Sequence, residues 1–518
     1  MKIKLKRKLA LIFTTVLLCT SFTACKGGSS ADKSSSEKPK SITFGFNQFP
    51  TNLDPAIEFN GWYPSRFGIG ETLVKLNADM KIEPLLADSW KRADDLTWKF
   101  HIREGVKFHN GKAVNAEAVK SSLERALKLN KRTQDILLVN TITANGQDLI
   151  ITTKTPHEAL LGNIADPLTT IVDTSQPEDS FAKAPICTGP FKVKSYTANS
   201  TVVVEKNKDY WGDKAKVDEA TFKYIKDDNT RAMALQSGEI DAATNIPSNN
   251  LALFADKSKY NTDKIASLRI IMSYINFNNE FLKDPVVRKA ISLGIDRDTY
   301  GKTLLKGSSV AAIGPFPGSL PFGNKNFTGY KYDKAAAAKL LSDAGYKDID
   351  GDGILEKDGK KLTLNLALYT TRSELPVLGE AMQAQLKEIG ISTKLQSYES
   401  VAQVLKSKNF DLCLLSVNTA VTGDPQSFLQ TYFKTGGSEN YGGYSNPEVD
   451  ALIDKLATEQ NTEARYDVAT KVQQKLIDDN AYTFIVSPML NIISKNTVSG
   501  LKMYPLDYYI LDNKVSIK

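Results

Sequence analysis

The sequence predicts a mixed α/β protein of two lobes, and three observations support this expectation. The chain has 518 residues, which is more than one hydrophobic core normally organises. Its composition, 41% hydrophobic and 24% charged, is that of an ordinary soluble globular protein. After residue 40, segments with strand-like patterns alternate with segments of helical apolar spacing, and no short internal repeat is visible. Such alternation is typical of mixed sheets covered by helices.

The predicted elements follow one another along the whole chain. Strands are predicted for SITFGFN (41–47), TWKFHI (97–102), TVVVEKN (201–207), ATFKYI (220–225), KLTLNLALY (361–369), FDLCLLSV (410–417) and AYTFIVSP (481–488). Helices are predicted over 115–127, 228–238, 284–305, 334–346, 379–390, 446–458 and 464–479. Asn115 is the expected N-cap of the first of these helices. Pro285 takes the first position of its helix, where the missing N–H costs nothing.

The first 25 residues differ from the rest and predict a secretory leader. Five positive charges in MKIKLKRK precede an apolar run that is shorter than the ~20 residues needed to span a bilayer. The ending Thr23-Ala24-Cys25 resembles a bacterial lipobox, with Phe22 where Leu is usual. We therefore expect a signal peptide over 1–24, lipidation of Cys25 that attaches the chain to a membrane, and a flexible Ser/Gly/Lys-rich tether over 25–40.

Charge and cysteine content narrow the choice of partners. The leader carries five of the net +7 charges, so about +2 remains after its removal. The basicity thus belongs to targeting, and a nucleic-acid partner is not expected. Of the four cysteines, Cys187 and Cys413 lie in the mature domain, where two free, buried thiols are the expected state.

Signatures of catalysis or of a resident metal are missing from the sequence. The three histidines lack metal-site spacing, and there is neither a CxxC nor a G-x-S-x-G motif. The GKT at 301–303 is not a phosphate loop, because the position of its first glycine is Asp296. We expect no enzyme and no cofactor; a hydrolase would need a cleft nucleophile that the sequence does not offer.

The stretch Ala87–Gly111, ADSWKRADDLTWKFHIREGVKFHNG, resembles the signature of family 5 extracytoplasmic solute-binding proteins. These are the peptide- and nickel-binding receptors of ABC importers. Further family landmarks follow in order across nearly the whole mature chain: NLDP (52–55), EPLLADSW (83–90), TGPFKV (188–193), KNKDYWG (206–212), TRAMALQSGEID (230–241), DPVVRKAISLGIDR (284–297), KLLSDAGY (339–346), GDPQSF (423–428) and GYSNPEVDALID (443–454).

The resemblance implies a type II periplasmic-binding-protein-like fold with a hinge and an interlobe ligand cleft. The first lobe would comprise 41–270 plus 481–518, and the second 271–480. Such receptors hand their ligand to a permease and its ATPase and perform no chemistry. A monomer is expected, held by its lipid to the outer face of the cytoplasmic membrane of a Gram-positive cell, or otherwise periplasmic. A surface sensor or adhesin with the same fold is the alternative outside transport.

Two departures from the family pattern bear on the ligand. Peptide-binding members often hold the α-ammonium of the peptide with an aspartate shortly before the motif matched by GDPQSF, and here that place is Val421. An ammonium facing Val would lack a charge partner. Arg132, in LNKRTQDILLVNTI, matches the arginine with which nickel-binding members grip carboxylates of a chelator. The resemblance thus favours a nickel or metal chelate, or another carboxylate-bearing ligand, over a di- or oligopeptide.

The other candidate ligand-binding residues come from three segments. Asn60, Trp62 and Tyr63 belong to EFNGWYPSRFG, where the first lobe of the family faces the cleft, and Arg103 belongs to the signature turn. Ser416 occupies the place where some nickel-binding members use a histidine, and Asn418 follows on the same strand. Direct ligation of nickel is therefore not expected. The alternatives are a solvated charge for Arg132 and core packing for Trp62.

The stretch DIDGDGILE (348–356) is similar to the start of a calcium loop. Counted from Asp348, position 12 is Gly359 where a calcium loop needs a bidentate Glu. Members of the family commonly carry a comparable loop at this place. We interpret it as a turn in which glycine supplies positive φ, and expect no metal site.

Overall fold

The computed structural model describes residues 39–518 apart from 324–326, 330, 371, 373, 400–402 and 406–408. The predicted leader and Cys25 lie outside the described residues. Within them, no helix combines the length and the apolar character that crossing a membrane requires.

The strands of the described residues are β1 (Ser41–Phe46), β2 (Val74–Leu76), β3 (Ile82–Pro84), β4 (Ala87–Arg92), β5 (Thr97–Ile102), β6 (Val139–Asn145), β7 (Asp148–Thr153), β8 (Phe191–Thr197), β9 (Thr201–Lys206), β10 (Glu219–Tyr224), β11 (Ala242–Thr244), β12 (Tyr260–Ala266), β13 (Arg269–Ile275), β14 (Ser309–Ala311), β15 (Glu356–Lys357), β16 (Lys360–Lys361), β17 (Thr363–Tyr369), β18 (Ser392–Tyr398), β19 (Leu412–Asn418), β20 (Tyr482–Lys495), β21 (Val498–Ser499) and β22 (Ser516–Ile517).

The α-helices with described bounds are α1 (Trp62–Arg66), α2 (Ala116–Leu129), α3 (Lys131–Leu137), α4 (Leu160–Asn163), α5 (Asp228–Ser237), α6 (Pro285–Leu293), α7 (Arg297–Thr299), α8 (Lys334–Asp343), α9 (Glu374–Lys387), α10 (Gln426–Tyr432), α11 (Pro447–Thr458) and α12 (Thr462–Asp478). Short 3-10 turns occur at Pro167–Thr169, Glu178–Ser180 and Ser248–Phe254, and a π turn at Tyr300–Leu304.

A twelve-stranded sheet runs through the described residues in the order β18-β17-β19-β13-β20-β11-β1-β10-β9-β8, with β12 and β14 also paired to β20. The first part of β20, up to Pro488, pairs with β13 and β14. Its remainder, from Met489, pairs with β11 and β12. We call β1 and β8–β12 the first sheet half, and β13, β14 and β17–β19 the second sheet half. The two halves are joined through β20.

The chain passes between the sheet halves at two neighbouring places, residues 266–269 and 487–490. Ser267 donates from its backbone N and its Oγ to the Pro488 carbonyl, at 2.9 and 2.7 Å. Thr419 donates in the same two ways to Leu268 O. Two adjacent backbone connections are what a hinge requires. The predicted lobe limits, 41–270 plus 481–518 and 271–480, remain a prediction.

The family signature supplies β4 and β5 of a smaller antiparallel sheet in the order β4-β5-β7-β6, and α2 packs against this sheet. The Asn115 side chain caps α2 by accepting from Ala118 N at 2.9 Å, as predicted. Pro285 opens α6, but the helix ends at Leu293 and not at 305. Arg297 explains the earlier end, because its Nη1 donates to the Ser292 and Ile295 carbonyls at the helix terminus.

Buried apolar side chains from strands and helices form the core on both sides of the sheet. Cys187 and Cys413 are free and buried within it, as expected, and burial raises the pKa of both thiols. They are therefore inert packing residues.

Candidate functional site

A cleft of about 740 Å³ opens between the two sheet halves. The two crossing segments line it, together with α1 and the C-terminal tail on the first side and with residues 304–309, Arg372, Glu374 and Asn418 on the second. A ligand in this cleft would touch both halves and the connections between them. This is the geometry in which closure around a ligand moves one half against the other.

The first wall of the cleft carries a contiguous cluster of three aromatic rings and one arginine. Trp62 and Tyr508 line the cleft, with ring centroids 5.7 Å apart. Phe59 lies 5.3 Å from Trp62, and the Arg132 guanidinium lies 5.5 Å from the centre of the Phe59 ring. We call Phe59, Trp62, Arg132 and Tyr508 the aromatic–arginine cluster.

Three polar atoms of this cluster are buried without a hydrogen-bond partner among the described residues: Trp62 Nε1, Arg132 Nη1 and Tyr508 Oη. The other terminal nitrogen of Arg132, Nη2, is 2.6 Å from Asp166 Oδ2, a carboxylate that is fully buried. A buried donor without an acceptor costs about 1–3 kcal/mol. Similar atoms occur elsewhere in the described chain, for example Arg125 Nε and Gln176 Nε2, but three of them lie together here, which makes the cluster a candidate place for an external acceptor.

Burial disfavours the charge on Arg132, but the Asp166 carboxylate outweighs this and raises the pKa of Arg132. The guanidinium therefore stays protonated. Its Nη2 binds Asp166, and its Nη1 is buried without an acceptor among the described residues.

The second wall carries a different arginine. Arg269 begins β13 and donates from Nη1 to the Ser416 carbonyl at 3.1 Å. Burial and the nearby Arg372 lower the pKa of Arg269 to about 10, so it is charged at neutral pH. On the first wall, by contrast, Arg66 is paired with Asp507 at 2.6 Å.

The predicted ligand-binding residues separate into two groups. Trp62 and Asn418 line the cleft. Ser416 lies directly behind Arg269, and Arg132 adjoins the lining through Phe59. Tyr63 also adjoins the lining, through Arg66, so the structure brings five of the seven predicted residues to the cleft or next to it.

Asn60 and Arg103 lie away from the lining, and Tyr63 reaches it only through Arg66. Asn60 donates from Nδ2 to Asn52 at 3.1 Å, and Tyr63 packs beneath the Arg66 guanidinium at 5.2 Å. Arg103 stacks over the Trp211 ring at 4.8 Å. Their part in ligand binding stays a prediction, and each has a structural partner within the chain.

Sequence reasoning missed Arg66, Arg269, Arg372 and Tyr508. A signal was present for Arg66, which follows Trp62 by one helical turn in the same motif. A signal was also present for Arg269, which is an arginine at the start of the buried strand RIIMSYI. Nothing local singles out Tyr508, because its position depends on the C-terminal tail returning to the cleft.

The region matched to the peptide-holding aspartate offers no free carboxylate in the described structure. Val421 N donates to Thr419 O, and the nearby Asp424 is bound by Arg465 at 2.6 Å. Two of the carboxylates that line the cleft are also committed: Asp507 to Arg66, and Asp228 to Arg231. The third carboxylate among the described residues of the lining is Glu374.

The Asp-rich stretch 348–356 is a turn on the surface. Asp348 accepts from Gly351 N and Gly353 N, at 2.8 and 3.0 Å, and both glycines have positive φ. Oxygens of Asp348, Asp350 and Asp352 lie within 4.8 Å of one another. Lys361 forms ion pairs with the last two, so an ammonium of the chain itself is the cation at this cluster.

Two α/β halves joined by two backbone crossings, with a ligand-sized cleft between them, are the arrangement expected of a solute-binding protein. The sequence agrees, since residues 81–440 match the model of the bacterial extracellular solute-binding proteins, family 5. The chain belongs to this family. The predictions of the family and of the two-lobe α/β fold are confirmed.

Relatives of known specificity include both nickel and peptide receptors. The nickel-binding protein NikA of Staphylococcus aureus is 28% identical over 88% of this chain and 90% of its own. Its crystal structure with Ni(L-His)2 covers 92% of this chain and all of that one, at a TM-score of 0.73. The oligopeptide-binding protein AppA of Bacillus subtilis is 27% identical over 96% of this chain and 97% of its own.

A nickel ABC transporter from Bacillus halodurans has a crystal structure that superposes with a TM-score of 0.84, at 29% identity over 92% of this chain and all of that one. The protein is therefore a substrate-binding receptor of the ABC-importer class and not an enzyme, as predicted. The relatives span nickel and peptide ligands, so the ligand has to be argued from the cleft.

Proposed function

We propose that this receptor captures a small carboxylate-bearing ligand, such as a chelated nickel ion, and delivers it to the permease and ATPase of an ABC importer. The observation that supports the ligand class is the aromatic–arginine cluster, with three buried polar atoms left without a partner in the described chain. A carboxylate would accept from Arg132 Nη1 and from the Trp62 indole N–H. Such charge-assisted hydrogen bonds are among the strongest in proteins.

A metal would enter the cleft already chelated. The described residues that line the cleft include no histidine and no cysteine, the side chains that bind nickel best. The ligand would bring its own metal-binding groups, and the protein would hold the carboxylates of the chelator. The Ni(L-His)2 bound by the NikA relative is a ligand of this kind.

A di- or oligopeptide is the second candidate, supported by the AppA relative over nearly the whole chain. The place matched to the peptide-holding aspartate disfavours a free peptide N-terminus, because Val421 stands there and the nearby Asp424 is held by Arg465; Glu374 is the lining carboxylate that could still pair with an ammonium. An α-ammonium taken from water without a carboxylate partner pays an uncompensated desolvation cost.

Binding is coupled to closure in this proposal. A ligand that touches both walls has more contacts in the closed state than in the open one, and so shifts the equilibrium toward closure. The crossing segments at 266–269 and 487–490 would absorb the change in backbone angles.

Native mass spectrometry of residues 26–518, purified from cells grown in rich medium, tests the ligand class. We expect a single adduct with a nickel isotope pattern and the mass of a small carboxylate chelator. A ladder of masses that fits short peptides would contradict the proposal and favour the peptide candidate.

Arg132 is tested by calorimetric titration with the nickel–L-histidine complex. Because Arg132→Gln alone would leave Asp166 buried without its partner, the informative variant is Arg132→Gln/Asp166→Asn, which removes both charges. We expect binding to weaken by about 1.5–3 kcal/mol. The control is Lys131→Gln, which changes the exposed neighbour of Arg132. Equal affinities in the double variant and the wild type would remove Arg132 from the site.

We further propose that a lipid on Cys25 holds the receptor at the outer face of the cytoplasmic membrane. Supporting this are the leader and lipobox-like sequence at 1–25. Cys25→Ser should release the protein from the membrane fraction, and a variant that stays membrane-bound would contradict lipid attachment.

A further inference from the structure

A close contact outside the cleft joins the second sheet half to α4. Gly162 lies in α4, and a Cβ atom at this position would be 2.3 Å from the Thr422 carbonyl oxygen. Thr422 follows β19, a strand of the second sheet half, and both residues are buried. Neither residue lines the cleft. We call the approach of Gly162 to the Thr422 carbonyl the glycine contact.

The conformation of α4 does not explain why residue 162 is a glycine. Gly162 is not among the described residues with positive φ, so an alanine would fit its backbone conformation. Alanine also stabilises a helix more than glycine does. The close approach to Thr422 is therefore the feature that requires glycine at this position.

The segment that carries α4 is attached to the first sheet half. After α4, Ile171 N donates to the Glu71 carbonyl at 2.9 Å. Two residues before Glu71, the Ile69 carbonyl accepts at 3.0 Å from Gly189 N, which lies just before β8. These bonds connect the segment to a strand of the first sheet half. The glycine contact therefore joins the two sides of the cleft.

The other contacts beside the glycine contact are weak. Gln460, between α11 and α12, donates from Nε2 to Asp95 Oδ1 at 3.3 Å, and both side chains are exposed. Gly423 approaches Leu76 through apolar atoms, since its Cβ would be 2.9 Å from Leu76 Cδ2. An exposed hydrogen bond of this length and single van der Waals contacts each contribute little, so the two sides separate here at a small cost.

We infer that the glycine contact is a closure contact, which forms when the two sides of the cleft close and is lost when they open. A side chain at position 162 would destabilise the closed state by a clash that the open state does not have. A ligand that requires the closed state would then bind more weakly, in proportion to the lost population of that state. The inference rests on the closure step of the proposed function but not on its ligand class.

A matched glycine contacts only its own side of the cleft. A Cβ atom at Gly442 would be 2.3 Å from the carbonyl oxygen of Ile275, the last residue of β13. Gly442 is buried and lacks a positive φ, as is also true of Gly162. Its carbonyl accepts from Phe277 N at 2.8 Å, which fixes it beside β13. Gly442→Ala therefore introduces the same kind of clash without acting on closure.

Cross-linking measures how often the two sides meet. In residues 26–518 the native cysteines are Cys187 and Cys413, which are free and buried. Asp95→Cys/Gln460→Cys therefore adds two reactive thiols, at side chains that meet in the structure. In this variant and without ligand, we expect Gly162→Ala to slow cross-linking by a short bismaleimide about 3- to 10-fold, because the closed state is less populated. Gly442→Ala should leave the rate unchanged.

Calorimetric titration with the nickel–L-histidine complex measures the effect on binding. Gly162→Ala should weaken binding about 3- to 10-fold as well, and Gly442→Ala should not. Equal cross-linking rates with and without Gly162→Ala would overturn the inference, because the glycine contact would then be permanent packing. If the wild type does not bind this complex, the proposed ligand fails, and the cross-linking rates alone decide on the inference.

A second measurement applies if Gly162→Ala does not fold. X-ray scattering compares the Asp95→Cys/Gln460→Cys variant before and after cross-linking. A smaller radius of gyration after cross-linking would show that the two sides open in solution and that the link holds them closed, as inferred. An unchanged radius would overturn the inference, since the two sides would already be in permanent contact.

Discussion

The buried polar groups of the aromatic–arginine cluster differ from those around Glu71, where motifs outside the cleft meet; we call the matched family motifs together with the buried groups that they contact the frame. In the frame, the buried Glu71 accepts from Tyr210 Oη at 2.7 Å, Thr188 Oγ1 at 2.8 Å and Trp211 Nε1 at 3.0 Å. In the aromatic–arginine cluster, three buried polar atoms have no partner in the described chain. Satisfied polar networks stabilise and specify a fold, whereas a group of unsatisfied polar atoms beside a cleft is a candidate contact for a ligand.

This difference between the frame and the cleft explains why the sequence motifs indicate the family but not the ligand. Thr188 belongs to TGPFKV, and Tyr210 and Trp211 belong to KNKDYWG, so two distant motifs meet on one carboxylate. Asp424 of GDPQSF is likewise bound by Arg465. Arg269, by contrast, belongs to none of the matched motifs. Changes in the frame should therefore affect stability, and changes in the cleft should affect affinity.

The largest expected effect on stability comes from Arg465. Both Arg465 and Asp424 are largely buried, and Arg465 also donates to Gln426 and to the Leu456 carbonyl. Arg465→Met should lower the free energy of unfolding by about 3 kcal/mol, because it leaves Asp424 without its partner. Urea denaturation measures this change.

The control for this pair is Arg465→Met/Asp424→Asn, which should recover part of the lost stability. At a temperature where the variants are folded, ligand affinity should equal that of the wild type. A variant with normal stability and weakened ligand binding would show that the Arg465–Asp424 pair acts on the cleft. That result would contradict the distinction between the frame and the cleft.

A smaller effect is expected from His109 and depends on pH. The ring donates from Nε2 to the Gly189 carbonyl and accepts from Cys187 N at Nδ1, so it is held neutral. Burial lowers the pKa of His109 to about 4 from 6.5. Above pH 6.5 its contribution to stability is complete, and it is lost as the pH falls toward 4, because the unfolded chain takes up the proton first.

Thermal unfolding across this pH range measures the loss. Allowing for the partly exposed ring edge, we expect the His109 contribution to fall by about 2 kcal/mol. His109→Gln should lack this component, whereas His101→Gln, on an exposed histidine paired with Asp148, should retain it. Parallel pH profiles for the wild type and His109→Gln would contradict the assignment.

Sequence patterns were sufficient to predict the fold class but not the residues of the cleft. The reason is that the contacts which form the cleft join residues far apart in the sequence. Helical spacing, Asn115 and Pro285 are local signals, and the predicted strands and helices are present, although the helix predicted over 284–305 ends at Leu293 and the one predicted over 379–390 runs over Glu374–Lys387. The Arg66–Asp507 pair joins residues 441 positions apart, and no periodicity encodes such a contact. Arg132 was predicted through family resemblance, but its partner Asp166 was not, because that pairing depends on how α3 lies beside the 3-10 turn at 167–169.

The smallest expected effect concerns the Asp-rich turn, which belongs with the frame since its charges are satisfied within the chain. Lys361 pairs with Asp350 and Asp352, and these ion pairs raise the pKa of Lys361. Calcium at about 1 mM should therefore leave the melting temperature of the wild type unchanged, because it must displace an ammonium from an exposed site. Lys361→Gln removes that competitor and should make the melting temperature respond to calcium, while Lys360→Gln on the neighbouring position should not. Stabilisation of the wild type by calcium would show that the ammonium does not occupy the cluster effectively and that this turn binds a metal.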